Sequence, residues 1–346
     1  MKFKAHFFWI IFALFALLSA ILVIFLTKKN EQKNYVSPQE LKEAKQQFQV
    51  SILRYEDDLF SLDLNCLPQE VERLSKKYPP LLIEPDSWND PNLLEGLKAY
   101  LQDTIIVALY ETAKTIKTDI LLKKLETAFG YYKVFYPNDS IPTIITLIPG
   151  LDDAIPSVYL YDDILFVHID MYLGADNPYY QSLFPLYIAE RCDPVYLPVD
   201  IFKKAMVYKK LERTPRSTLL EAMITEGKKL FFTEMMFPDL HERYIIGYSE
   251  PKYKWANEYS GNVWNHFIEK NELFGKGEAL MRSYIEEAPF TKIFGNESPG
   301  RIGSFIGWKL IQSYMKNNPE ITLNMLIQET DYEKILNQSR YKPVPR

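Results

Sequence analysis

The side chains on which chemistry could first be sought in this 346-residue chain are four histidines, two cysteines and a few oddly placed charges. His6 flanks an apolar N-terminal run, His168 lies in the stretch ILFVHID, His241 follows Pro238, and His266 sits beside Trp264. No two of them are four residues apart, the spacing that sets two imidazoles on one helical turn, so a zinc site is not indicated. Each reads first as a packed or surface residue. Cys66 and Cys192 exclude a disulfide framework and leave one bridge open. There is no Gly-x-Ser-x-Gly elbow, phosphate loop or dinucleotide fingerprint. A Ser/His/Asp or Cys/His triad assembled across the fold stays open, because such triads are recognised by geometry and not by spacing.

The informative charges sit on two unusual helices. The segment from Ser217 to Pro238 reads as a helix capped by Ser217 or Thr218, with Glu221 completing a capping box and Phe237-Pro238 ending it. Leu220, Ile224, Phe231 and Met235 form an apolar stripe, with Gly227 in the same row. A helical glycine costs about 1 kcal/mol relative to alanine, so a close crossing is expected there. Glu226 lies on the edge of that stripe and needs a partner, most simply Lys229 at i,i+3. The segment from Ser298 to Pro319 reads as a second helix, with Ser298 capping and Pro299 in the first position. Gly300, Gly303 and Gly307 then share a face on which another backbone can come close. Arg301 in the first turn opposes the helix dipole and calls for an acidic partner, for which Glu226 is a candidate.

Around these helices the sequence implies one α+β domain, mostly helical with a small sheet. An apolar stripe from Leu41 to Leu62, with steps of three and four, predicts a helix of about 22 residues. Ser37 and Pro38 mark its start. Further helices are expected near Asn92–Thr115 and Thr118–Tyr136. Pro142–Ile148, Val158–Tyr161 and Ile164–Ile169 read as strands, the last two joined as a hairpin through Asp162-Asp163. Beyond Asp176 the chain reads as helical to its end. With 47% hydrophobic and 14% aromatic residues the chain can bury a large core, which excludes disorder. A formal net charge of −5 argues against a nucleic-acid partner.

Phe7 to Leu26 carries no charge over a length that spans a bilayer core. Lys2, Lys4 and His6 precede it and Lys28-Lys29 follow. An uncleaved transmembrane helix fits better than a signal peptide, because Ser19-Ala20 is the only small pair and Leu18 spoils the −3 position. The organisation expected is an anchor over 1–27, a juxtamembrane helical linker over 28–50, and an exported domain over 51–346.

Several stretches resemble the gliding-motility lipoproteins of the GldB type from Bacteroidetes. They are RYEDDLF (54–60), DDILFVHIDMYLG (162–174), ITEGKKLFF (224–232), the region of Trp255 and Trp264, the run from Glu286 to Pro319, and YKP at 341–343. The family is usually anchored through a lipidated cysteine, and the apolar run here contains none. The resemblance therefore implies an exported, periplasmic domain held by residues 7–26, with envelope proteins of the gliding or type IX secretion apparatus as partners.

The same resemblance implies a zincin-like fold, whose active helix carries His-Glu-x-x-His. The matching pentad here is Thr225-Glu226-Gly227-Lys228-Lys229. Thr is a poor zinc ligand and protonated Lys offers no lone pair, so no metal or other cofactor is expected. Without a metal no water is acidified, and Glu226 has nothing to serve as a base. The expected function is a non-enzymatic scaffold with a packing cluster of Glu226, Lys229, Arg301, Gly303 and Gly307. The rivals are a membrane-tethered hydrolase with an unrecognised site and, on 24 Tyr and 5 Trp alone, a glycan-binding module.

Overall fold

A computed structural model describes residues 36–81, 84–152, 155–211 and 217–346. The apolar run at residues 7–26 lies outside the described residues. Among the described residues no helix is long and apolar enough to cross a membrane.

The expected helix from Leu41 to Leu62 is not continuous. Helix α1 (Pro38–Lys45), with Ser37 and Glu40 forming a capping box, is followed by strand β1 (Ile52–Arg54) and helix α2 (Tyr55–Phe60). Ile52 and Leu53 stand opposite Ile144 and Ile145 in a parallel ladder. Adjacent aliphatic residues suit a strand covered on both faces, and that pairing overrides a spacing compatible with a helix. Helix α1 packs on the later helix α6, where Lys45 and Leu41 lie against Gly130. Helix α3 (Leu67–Lys77) comes next. The expected helix over Asn92–Thr115 is two: α4 (Pro91–Gln102) and α5 (Thr104–Ala113). The break falls at Asp103, whose carboxylate accepts from the amides of Ile105 and Ile106 and so begins a new helix. Helix α6 (Thr118–Phe135) matches its expected span.

Strands β2 (Thr143–Leu147), β3 (Val158–Tyr161) and β4 (Ile164–His168) complete a four-stranded sheet ordered β1-β2-β4-β3. β1, β2 and β4 run parallel, and β3 returns antiparallel to β4 through the expected hairpin, with Asp162 at φ +49°. The carboxyl ends of the three parallel strands therefore lie along one edge. Helices α7 (Pro178–Leu183), α8 (Leu186–Ala189) and α9 (Tyr196–Asp200) follow, and α9 continues into a π turn at Ile201–Ala205 and a 3-10 turn at Met206–Lys209.

Helix α10 (Leu219–Met236) starts at the expected capping box of Thr218 and Glu221. It buries more than one stripe: of its 18 residues only Glu221 and Glu226 are not buried. A helix enclosed on every side is the centre of the core. Helices α11 (Glu242–Ile246), α13 (Glu278–Tyr284), α14 (Ile302–Asn317), α15 (Leu323–Gln328) and α16 (Tyr332–Ser339) pack on it, and α12 (Glu250–Glu269) packs on α14.

The start of α14 differs from expectation. Ser298 is buried and exchanges hydrogen bonds with Thr291, while the Thr291 amide donates to Pro299 O at 3.0 Å. This turn pins Ser298 and Pro299 outside the helix, and Arg301, in the left-handed region at φ +53°, is the residue that caps it. Gly300 thus precedes the helix, where a Cβ would fall 2.0 Å from Ala288 O. Within the helix, a Cβ on Gly303 would meet Tyr284 O, and one on Gly307 would stand 1.9 Å from Met223 O. A Cβ on Gly227 would lie 2.4 Å from the Gly307 carbonyl. Helices α10 and α14 therefore touch backbone to backbone.

Candidate functional site

Along α10 the Thr225–Lys229 pentad is occupied by its own contacts. The Thr225 hydroxyl donates to Glu221 O, a bond within the helix. Lys229 Nζ meets Glu226 Oε1 at 2.7 Å and lies 4.9 Å from the centre of the Tyr208 ring. Burial works against the Lys229 charge, but Glu226 and Tyr208 outweigh it and hold its pKa above the ordinary lysine value. Lys228 points elsewhere: its ammonium donates to Glu329 O and faces the Tyr332 ring, and burial pushes its pKa down to about 8. Arg301 is not the partner of Glu226. Its Nε pairs with Glu287 at 3.0 Å, and Nη2 donates to Ile246 O. The left-handed cap turns Arg301 toward α11 and away from α10. Glu226 and Lys229 thus come together, Gly307 packs on this helix, and Arg301 and Gly303 face other neighbours.

Arg301 belongs to a cleft that sequence reasoning missed. At its floor Asp200, 2% exposed, receives Lys204 at 2.8 Å and both Arg191 and Lys203 at 3.3 Å. The Tyr172 hydroxyl donates a further bond at 3.0 Å. Burial raises the cost of the Asp200 charge, but the three cations overcome it and hold the carboxyl far below its ordinary range. The π turn after α9 places Lys203 and Lys204 on either side of Asp200, and Lys203 Nζ also donates to Ile245 O. π turns recur at functional sites because the inserted residue re-aims its neighbours. Burial, reinforced by Arg191, pushes the Lys203 pKa down to about 7.

Arg191 links the floor to the mouth, with Nη1 3.7 Å from Glu287. Its guanidinium lies where a side chain at residue 247 would be, so only Gly247, at φ +83°, leaves it room. Arg191 Nε is buried and meets no hydrogen-bond acceptor among the described residues. Two adjoining cavities of about 380 and 360 Å³ open here, sharing Tyr187, Arg191 and Glu287 in their walls.

Two other buried polar groups lie apart from the cleft. Glu234, 2% exposed, accepts from Trp308 Nε1 at 2.8 Å and from Gln312, which also donates to Glu242. Glu242 in turn receives Lys309 and the Tyr253 hydroxyl; burial would raise its pKa, but Lys309 leads the donors that bring it down to about 2. At the carboxyl edge of the sheet, Glu56 is fully buried, paired with Arg54 at 3.1 Å and bonded by Thr146. Nearby Asp170 accepts from the Gly150 amide, and burial pushes its pKa up to about 8.

Among the described residues no cluster of three His, Cys, Asp or Glu side chains is set to hold a metal. The bridge left open for Cys66 and Cys192 is not made: both are free thiols, and Cys192 is buried. His168 is buried, and desolvation lowers its pKa. Sequence reasoning missed the cleft because Glu287 and Arg301 come from a distant segment and Arg191 reaches Asp200 only through the turn between α8 and α9. The one local trace is Asp200-x-x-Lys203-Lys204, a spacing that brings both lysines over one carboxylate.

No curated protein matches the chain, and no solved structure does. The family model described as gliding motility protein GldB matches residues 36–343, nearly the whole described fold, with Glu56, Asp170, Arg191, Asp200, Glu226, Glu287 and Arg301 all inside it. The chain belongs to the gliding motility protein GldB family.

Proposed function

We propose that this member of a gliding motility family works without catalysis, as a membrane-anchored envelope component that holds proteins of the gliding and associated type IX secretion machinery. In this reading residues 7–26 anchor the chain and the domain beyond them stands in the periplasm on a zincin-like helix that has lost its metal. The observation that carries it is the Lys229–Glu226 ion pair at 2.7 Å. In the pentad Lys229 stands where a zincin has its second histidine, and its ammonium neutralises the carboxylate that a bound metal and its water would otherwise engage. The backbone crossing at Gly227 and Gly307 closes the neighbouring turn. Glu226 then serves structure in place of acid–base chemistry.

The test is elemental analysis of the purified chain together with a Glu226→Gln variant assayed for colony spreading. The scaffold reading expects less than stoichiometric zinc and a motility change explained by lost stability or lost capture of envelope proteins. One tightly held zinc per chain, or motility abolished in a variant as stable as wild type that still captures the same envelope proteins, would put the hydrolase reading in its place.

A further inference from the structure

Four cations, Arg191, Lys203, Lys204 and Arg301, are gathered around two carboxylates, Asp200 and Glu287, in a chain whose net charge is −5. Cations are not collected against the overall charge without a stabilising anion, and the surplus here adjoins open space. We propose that the cleft binds the free C-terminal carboxylate of a polypeptide that ends in apolar residues.

The position of the anion follows from Arg191. Its Nε has no acceptor, and its contact with Glu287 is long at 3.7 Å, whereas Glu287 sits 3.0 Å from Arg301. Because Nε itself is buried, an incoming carboxylate meets the guanidinium where it lines the two cavities, at the loosely held Nη1, and leaves Glu287 to Arg301. The planar fork of a guanidinium suits a carboxylate in that arrangement. Lys204, on the accessible side of Asp200, supplies the second donor. Lys203 is buried, turned to Ile245 O and not in the cavity walls, where Glu190 offsets Lys252; the surplus facing the space is therefore closer to one charge than two, which matches a carboxylate better than a phosphate dianion.

The walls specify what carries the anion. Ile155, Pro156, Met171 and Ile188 line one chamber, and Leu186, Pro289 and Pro299 line the other. Leu186 is 71% exposed at the rim. Cavities of this size take two or three side chains, with prolines giving walls that need little ordering on binding. Capture of a terminal carboxylate by cations, with pockets for the preceding side chains, is a recurrent mode of peptide recognition.

The inference concerns a different part of the molecule from the Thr225–Lys229 turn, so its failure leaves the scaffold reading standing. The test is calorimetric titration of the full-length chain in detergent with N-acetyl-leucyl-leucine, its C-terminal amide, and inorganic phosphate. The acid is expected to bind at least about tenfold more tightly than the amide and than phosphate. Glu287→Gln, which removes the competing carboxylate, should tighten the acid about threefold or more, and Lys204→Gln should weaken it by a similar factor. Both replace partly exposed side chains and keep Asp200 paired with Arg191, and a thermal melt checks their folding. The proposal is overturned if acid and amide bind alike, if neither binds the wild type and Glu287→Gln, or if phosphate binds more tightly than the acid.

Discussion

Helix α14 carries a buried polar group at each end of its first half, and the two are built in opposite ways. Toward its C-terminal side, Trp308, Lys309 and Gln312 answer Glu234 and Glu242 with one ammonium and several neutral donors. At its cap, Arg301 joins Arg191, Lys203 and Lys204 around Asp200 and Glu287, with cations in excess and two cavities alongside. Buried charge alone therefore says little about a site. What separates the two groups is whether the charges are answered within the protein and whether space adjoins them.

The sharpest way to break the contrast is to strike the helix that joins both groups. Gly307→Ala would drive a methyl into Met223 O, so α14 must shift and both groups are lost together. We expect a loss of about 3 kcal/mol or more, read as a drop in urea midpoint, with Gly227→Ala behaving the same way. Asp200→Asn should come next, at about 3 kcal/mol, because Arg191, Lys203 and Lys204 lose their shared anion. Glu242→Gln should cost less, about 1 to 2 kcal/mol, since Gln312 and Tyr253 keep an acceptor and Lys309 can reach solvent. A larger loss for Glu242→Gln than for Asp200→Asn would reverse the comparison.

Proton linkage separates regions more finely. Glu242 has a lowered pKa of about 2, so its stabilisation is present above its unfolded value near 4.5 and disappears as pH falls from there toward 2. Asp170 is the opposite case. Its pKa is raised to about 8, so the stability it lends is complete below its unfolded value and is lost as pH rises through 8. Glu242→Gln should flatten the acid limb of a stability–pH profile, and Asp170→Asn should flatten the decline between about 4 and 8. The smallest expected effect is that of Lys204→Gln on stability, under about 1 kcal/mol, because its side chain is 42% exposed.

The sequence made the α+β class legible, together with helix α6, the hairpin at Asp162, and the capping box of α10, because each is written in a short contiguous signal. The split of the expected Leu41–Leu62 helix was not legible, since Ile52 and Leu53 become a strand only by meeting Ile144 and Ile145. The glycines of α10 and α14 announced a close crossing, but the false start at Ser298-Pro299 hid where α14 begins: the deciding bonds run back to Thr291. Pairing Glu226 with Lys229 was readable at i,i+3, whereas Arg301 with Glu287 required the loop between α13 and α14 to fold back. The cleft stayed hidden for the same reason, with Arg191, Asp200 and Glu287 each unremarkable in its own segment.

The parallel sheet also governs the order in which the chain can form. Strand β1 ends at Arg54 and its neighbour β2 begins only at Thr143; the hydrogen bond that holds Glu56 joins residues 90 positions apart. Until that distant segment arrives, a fully buried carboxylate and its strand have nothing to rest on, and closing so long a loop is slow. The sheet cannot form while the chain is still emerging through about residue 143, so β1 must wait unpaired until then. During that interval the unpaired aliphatic edge of Ile52 and Leu53 is open to pairing with another chain.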